Sequence, residues 1–420
     1  TNTTIAYFYS AKGNNKEYNT SHNKRTFFSL IQFRGAKKKE LFATCRTCAS
    51  TSNFFETCAF IKRLARRDLE HKRFTKKIVI HKIKLDQMSK LDTSSSQEKE
   101  KSKLPSKCKH QLTGHSGPIY ALATTHDGSF LLSGGSDKTI RLWNPHTNFK
   151  IKDFDNGHGY DVHSITVQKD NSAFLSAGGD RCIFVWDVKG CRVTGKYWAH
   201  TSTINCVCYE TSNYSCFASA SYDQTVCLWD LKSFNKRPIQ KLSGDFKDSV
   251  THVAIKNFQI VTSCVDGFVR IYDVRNGQKY TDCIGQPVTN VNVSNDSKCV
   301  LLSCLDDKIR LVDNSTGVVL NQYKGHSNKE YKVVSIFGLD ESYIISGSED
   351  GKIYFWDLLS ANVIRQLESK SASSLSKNVG IVTQVVRHPT KSNVLFSCDT
   401  LGSIRIKDNQ AILISIFILK

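Results

Sequence analysis

What this chain lacks narrows its function first. No run of 18 or more apolar residues occurs in its 420 residues, so no segment reads as a helix able to cross a bilayer; the longest candidate, Ala411 to Leu419, is interrupted by Ser415. The phosphate-cradling patterns G-x-x-x-x-G-K and G-x-G-x-x-G are also missing. Gly135 to Thr139 imitates a phosphate loop only superficially, because its lysine follows an aspartate in a turn, so no nucleotide cofactor is expected. Cys45, Cys48 and Cys58 form a C-x-x-C with a third thiol but no fourth well-spaced ligand, which makes chance a better reading than zinc, and no metal is expected. The start does not combine a charged segment with an apolar run and a cleavage site, so sequons such as Asn213 and Asn292 read as chance in a cytoplasmic or nuclear protein.

Methionine is scarce as well: Met88 is the only one. Residues 1–87 show no sustained period of two or 3.6 and no cap-and-stop punctuation, which marks them as a leader, untranslated or disordered, with translation expected to start at Met88. A polar linker at 88–106 follows, rich in Ser, Lys and Glu from Ser89 to Lys103. The leader also carries most of the charge. Of the net +20, residues 1–87 supply +13 (19 Lys/Arg against 6 Asp/Glu), which leaves +7 for the rest. A basic balance ordinarily points to nucleic acid. Here its location, and the lack of an aromatic stripe between Lys and Arg in the repeats, make direct nucleic-acid contact an unfavoured expectation. The 15 cysteines are odd in number and scattered, among them Cys182, Cys206, Cys208, Cys227, Cys264, Cys299 and Cys304, and read as reduced, half-buried small hydrophobes.

Past residue 110 the chain echoes itself. Trp143, Trp186, Trp229, Tyr272, Val312, Trp356 and Lys407 stand at equivalent positions, spaced 43, 43, 43, 40, 44 and 51. Six residues before the first six anchors lies Asp137, Asp180, Asp223, Asp266, Asp306 or Asp350; Leu401 holds the seventh place. Within each unit, apolar residues alternate with period two and are broken by Gly, Asn and Asp, as in Phe130-Leu131-Leu132, a turn at Gly134 to Lys138, then Ile140 to Trp143. Units of this period made of antiparallel strands belong to WD repeats. The fold class is therefore all-β, a seven-bladed WD40 β-propeller over 107–409, with an atypical hydrophobic tail at 410–420. Lys107 to Leu112 has no blade of its own and is expected to supply the outer strand of the last one, closing the ring.

Four residue types recur as sets: His115, Ser133, Asp137, Trp143; His158, Ser176, Asp180, Trp186; His200, Ser219, Asp223, Trp229; and His326, Ser346, Asp350, Trp356. Ser, His and Asp together suggest a nucleophilic triad. One set per blade is instead a structural device, in which Asp accepts from a buried His, which meets Ser, which meets the indole N–H, so each buried polar group gains a partner. No catalytic residue is assigned. Blades four, five and seven are degenerate, with Gly244/Asp245 and Ile284 in place of Gly-His, Leu302 in place of Ser133, and Lys407 in place of the last aromatic, so incomplete networks are expected there.

The strings G-S-D-K-T-I-R-L-W-N-P (Gly135 to Pro145), G-H-G-Y-D-V (Gly157 to Val162) and Y-K-G-H-S-N-K-E-Y-K (Tyr323 to Lys332) are distinctive. With V-D-G-F-V-R-I-Y-D-V-R-N-G-Q (Val265 to Gln278) and S-E-D-G-K-I-Y-F-W-D-L (Ser348 to Leu358), they resemble the mitogen-activated protein kinase organizer family from about residue 110 to 406. The resemblance implies a scaffold that assembles kinase-cascade components in the cytoplasm and associates with the spliceosome in the nucleus, as a monomeric propeller within larger complexes. Its departures lie at both ends, in the leader and after Ile406. In such a propeller the turn after Gly-His and the turn holding Asp emerge on one face, so Tyr160, Asp161, Tyr222, Glu330, Tyr331 and Glu349 are candidate protein-binding residues. Two alternatives stand beside the scaffold: a ribonucleoprotein subunit touching RNA, and a ubiquitin-ligase substrate receptor, since Tyr272-Asp273-Val274-Arg275 resembles the W-D-x-R adaptor motif.

Overall fold

Short alternating stretches broken by Gly, Asn and Asp cannot build a layered core from one sheet, and in this chain they form seven four-stranded antiparallel sheets arranged in a ring. The computed structural model describes residues 104–211, 214–368 and 380–409. The leader, the thiols Cys45, Cys48 and Cys58, the tail at 410–420, most of the linker and Asn213 lie outside the described residues.

Six blades are consecutive in the chain, each running from an inner to an outer strand. Blade one spans Ile119–Thr124 to Phe149–Phe154, blade two Val162–Val167 to Arg192–Trp198, and blade three Ile204–Tyr209 to Gln240–Leu242. Blades four, five and six begin at the inner strands Val250–Lys256, Val288–Val293 and Ser335–Phe337. Blade seven takes three strands from the end of the chain and its outer strand from the beginning: Lys107–Thr113 pairs antiparallel with Ser403–Asp408, from Lys107 opposite Asp408 to Thr113 opposite Ser403. The closure reaches three residues earlier than the boundary placed at 107. Leu104 is buried beside Phe355 and Leu367 of blade six, and its carbonyl and that of Pro105 accept from Arg365 Nη1 at 2.7 and 2.9 Å.

The apolar residues form seven clusters, one at each junction between neighbouring blades, rather than a single core. Between blades one and two, Phe154 meets Phe174 and Trp186 edge-on at 5.1 and 5.6 Å. Trp186 is fully buried, so its truncation to Ala is worth about 3–5 kcal/mol. Each blade is thus stable only between its neighbours, which gives the terminal strand exchange its weight.

Two backbone devices repeat. The residue after each turn position is left-handed: Lys138, Arg181, Gln224, Gly267, Asp307, Gly351 and Gly402 all have φ between 57° and 81°. The second device is a bulge at the second residue of six inner strands, namely Tyr120, His163, Asn205, Thr251, Thr289 and Thr383; blade six lacks it. A bulge leaves its residue outside the ladder and redirects it. Because these strands touch one another in sequence around the ring, the bulges surround the central axis.

Candidate functional site: polar braces and a docking face

In blade one, His115 Nδ1 lies 2.8 Å from Asp137 Oδ2, His115 Nε2 lies 2.7 Å from Ser133 Oγ, and the Trp143 indole donates to that hydroxyl at 2.8 Å. Blade two repeats the chain at 2.5, 2.6 and 2.7 Å through His158, Asp180, Ser176 and Trp186. Blade three repeats it at 3.0, 2.7 and 2.8 Å through His200, Asp223, Ser219 and Trp229. Burial alone would raise the three carboxyls. The histidine bond and neighbouring donors outweigh it, holding Asp137 down to about 2 and Asp180 and Asp223 below the ordinary range. Ser133, Ser176 and Ser219 have no exposed surface, so the set cannot present a nucleophile to a substrate.

The fourth set does not assemble. Both ring nitrogens of His326 are buried without a partner, Ser346 donates to Gly347 O at 3.0 Å, Asp350 accepts from Tyr354 at 2.6 Å, and the Trp356 indole donates to Lys324 O at 2.9 Å. The cause lies in the preceding turn. The inner-strand residue opposite the serine lies seven residues after His115, His158 and His200 but nine after His326, and Tyr354, at the position of Arg141, takes the carboxylate. Burial pulls the His326 pKa down to about 4 despite Asp307 and Asp350 nearby, so the ring is neutral at pH 7.

In the degenerate blades a different pair replaces the missing histidine. Arg270 Nη2 meets Asp266 at 2.7 Å and Arg310 Nη2 meets Asp306 at 2.5 Å, both nearly buried. In blade four the histidine place is Phe246, four residues before the inner strand and one later than the Gly244/Asp245 expected there, and its ring lies 4.8 Å from the Arg270 guanidinium. In blade seven Arg405 pairs with Asp399, whose other oxygen accepts the amides of Leu401 and Ser403 at 3.0 Å, standing in for an aspartate at 401. The signal was present in the chain as an arginine two residues before the anchor in all three degenerate blades, Arg270, Arg310 and Arg405, as well as Arg141 in blade one. Lys407, in the last tryptophan place, is buried and donates to Glu368 O at 3.0 Å, and burial lowers its pKa to about 8.

Of the candidate docking residues, Tyr160, Tyr222 and Tyr331 are 63%, 62% and 41% exposed. Tyr160 packs so closely on Gly179 that a Cβ there would come within 2.8 Å, and Lys138 Nζ sits 6.0 Å from its ring. Burial raises the Tyr120 pKa in blade one, and Asp161 of blade two and Tyr331 of blade six lie near enough to raise it further. Tyr222 stands on the turn of blade three with its amide bonded to Thr203 O at 2.9 Å. Glu349 also has a structural role: its Oε1 accepts the amides of Lys329, Glu330 and Tyr331 at 2.8, 2.8 and 2.9 Å, so it shapes the loop that displays the other two.

Sequence reading missed Lys332. From blade six its ammonium crosses the axis to the bulge carbonyls of Asn205 and Thr251 at 2.9 and 3.1 Å, on blades three and four. His163 and His252 face it, and burial followed by this charge keeps both below the ordinary histidine pKa. Asn328 ties the same loop to blade five through Asp307 and Cys304 O at 2.7 and 3.2 Å. The adaptor-like Tyr272-Asp273-Val274-Arg275 is closed on itself, Arg275 Nη2 lying 2.9 Å from Asp273. Among the described residues no group of three or more His, Cys, Asp or Glu is placed to hold a metal ion.

The WD domain, G-beta repeat family matches residues 106–144, 149–187, 191–230 and 317–357. A WD repeat domain-containing protein 83 homolog of Dictyostelium discoideum is 33% identical over 334 residues, 72% of this chain and 98% of that protein. This chain belongs to the WD repeat domain-containing protein 83 family. The Xenopus tropicalis member is 36% identical over 63% of this chain and 83% of its own length; the human member is 36% identical over 38% of this chain, a match spanning 47% of the human protein. The four repeats matched by the family end at Asn144, Asp187, Asp230 and Asp357, each just after a tryptophan. Each sequence repeat therefore starts at the outer strand of the preceding blade, offset by one strand from the structural unit.

Proposed function

We propose that this WD-repeat protein is a non-catalytic scaffold that docks other proteins on the face carrying the Gly-His and Asp turns. The observation that carries the reading is the group of exposed Tyr160, Glu330 and Tyr331 with half-buried Asp161, held on loops braced by buried histidine networks, Glu349 and Lys332. Rigid amphipathic anchors on a preorganised surface lose little entropy on binding. The resemblance to mitogen-activated protein kinase organizers supports kinase-cascade components as cytoplasmic partners and spliceosomal subunits as nuclear ones. Replacing Tyr160 and Tyr331 together by Ala is expected to abolish capture of those partners in an affinity purification read by mass spectrometry, with a melting temperature within about 2 °C of the parent because neither ring is in a core cluster. Unimpaired capture by the folded double variant removes these residues from the docking face.

A further inference from the structure

Among the described residues every outer strand has a strand neighbour on one side only, so side chains distinguish one rim from the next. On several rims the cations are neutralised: Lys150 and Arg141 lie 2.6 and 3.6 Å from Asp153 in blade one, Lys279 pairs with Asp245 in blade four, and Lys109 lies 3.8 Å from Asp408 in blade seven. Blades two and three differ. Arg192 and Lys196 on the outer strand of blade two, and Lys232, Lys236, Arg237 and Lys241 around that of blade three, are exposed, and none of them has an ion-pair partner among the described residues. The nearby acids are already engaged, Asp223 with His200 and Asp230 with the Lys232 amide at 2.8 Å. Trp198, Phe234 and Ile239 add apolar surface at 69%, 96% and 63% exposure. The two rims are continuous: the Tyr197 hydroxyl donates to Leu231 O at 3.3 Å, and Lys236 Nζ lies 5.9 Å from the Tyr197 ring.

We propose that the outer rim of blades two and three binds an acidic, extended protein segment bearing apolar side chains, which adds as a strand to the free edge of Arg192–Trp198. Main-chain bonds to the edge set the register, carboxylates meet the unpaired cations, and alternate apolar side chains cover Trp198, Phe234 and Ile239. A single-stranded nucleic acid would use the same cations, but it needs ring faces in succession; here two rings stand on different blades and the third apolar group, Ile239, has no ring. The surface shares no residue with the docking face, so either can fail without the other.

The test is fluorescence anisotropy on the full chain with three labelled probes: a peptide of about twelve residues alternating Glu with Ile and Phe, a polyglutamate of equal charge, and a uridine oligonucleotide of about the same length. The apolar acidic peptide is expected to bind about tenfold more tightly than polyglutamate. Lys196→Glu, Lys236→Glu and Arg237→Glu together are expected to weaken it about tenfold or more, and Trp198→Ala with Phe234→Ala about threefold or more, both variants melting like the parent. Tyr160→Ala with Tyr331→Ala is expected to leave it unchanged. Absence of peptide binding, tighter binding of the oligonucleotide, or parental affinity in the folded charge-reversed variant overturns the proposal.

Discussion

His158 and His326 sit in equivalent turns with opposite energetic consequences. The first is hydrogen-bonded through both nitrogens to Asp180 and Ser176, so His158→Leu strands two buried partners and is expected to cost about 2–4 kcal/mol in urea unfolding. The second has no partner, so His326→Leu is expected to stay within about 1 kcal/mol of the parent or to stabilise it. Its pH dependence has a definite sign. Unfolded, this histidine takes a proton near 6.5; folded, only near 4. The parent therefore loses stability as pH falls across that window, and the Leu variant loses less. Lys407 gives the mirror case. Its folded pKa of about 8, against 10.5 ordinarily, means that a buried ammonium penalises the fold below pH 8 and that the penalty lifts between 8 and 10.5. Lys407→Met is expected to be more stable than the parent by about 1–3 kcal/mol at pH 7, a gap that closes towards pH 10.5 in a series of melting curves.

At the scale of elements, the loop of blade six shows how one turn acquires a different job from its equivalents. Glu349 supplies three amides with one oxygen, Asn328 binds blade five, and Lys332 reaches the far side of the axis. Glu349→Ala leaves the Lys329, Glu330 and Tyr331 amides without that acceptor. Faster hydrogen exchange is expected at those amides, with global stability lowered by only about 1–2 kcal/mol, because Lys332 and Asn328 still anchor the loop. Exchange rates unchanged at all three amides would show that the carboxylate does not hold them in solution.

For the whole molecule, closure is the decisive interaction. The strand Lys107–Thr113 covers the edge Ser403–Asp408 and brings Leu112 into the cluster between blades seven and one. A chain beginning after Thr113 loses these contacts and exposes an unpaired strand edge. It is expected to melt at least about 5 °C lower and to self-associate in size-exclusion chromatography, whereas a chain beginning at Ser102 behaves as the parent.

Much of this architecture was legible in the chain because its signals are local. An anchor every 40 to 51 residues, an aspartate six before it and alternation with period two depend on residues within one blade, and they led to seven blades and to the histidine networks of the first three. The fate of His326 was not legible, since composition matched the other sets while a longer turn moved the ring out of reach. Nor was Lys332, whose acceptors Asn205 and Thr251 lie 127 and 81 residues away and meet it only once the ring has closed. Leu104 looked like the end of a polar linker and became core for the same reason. Sequence periodicity determined what each blade is made of and which strand, left without a blade, closes the last one; the closed ring decided what crosses its axis and how far the seal extends to Leu104, because those contacts depend on distances that no local pattern encodes.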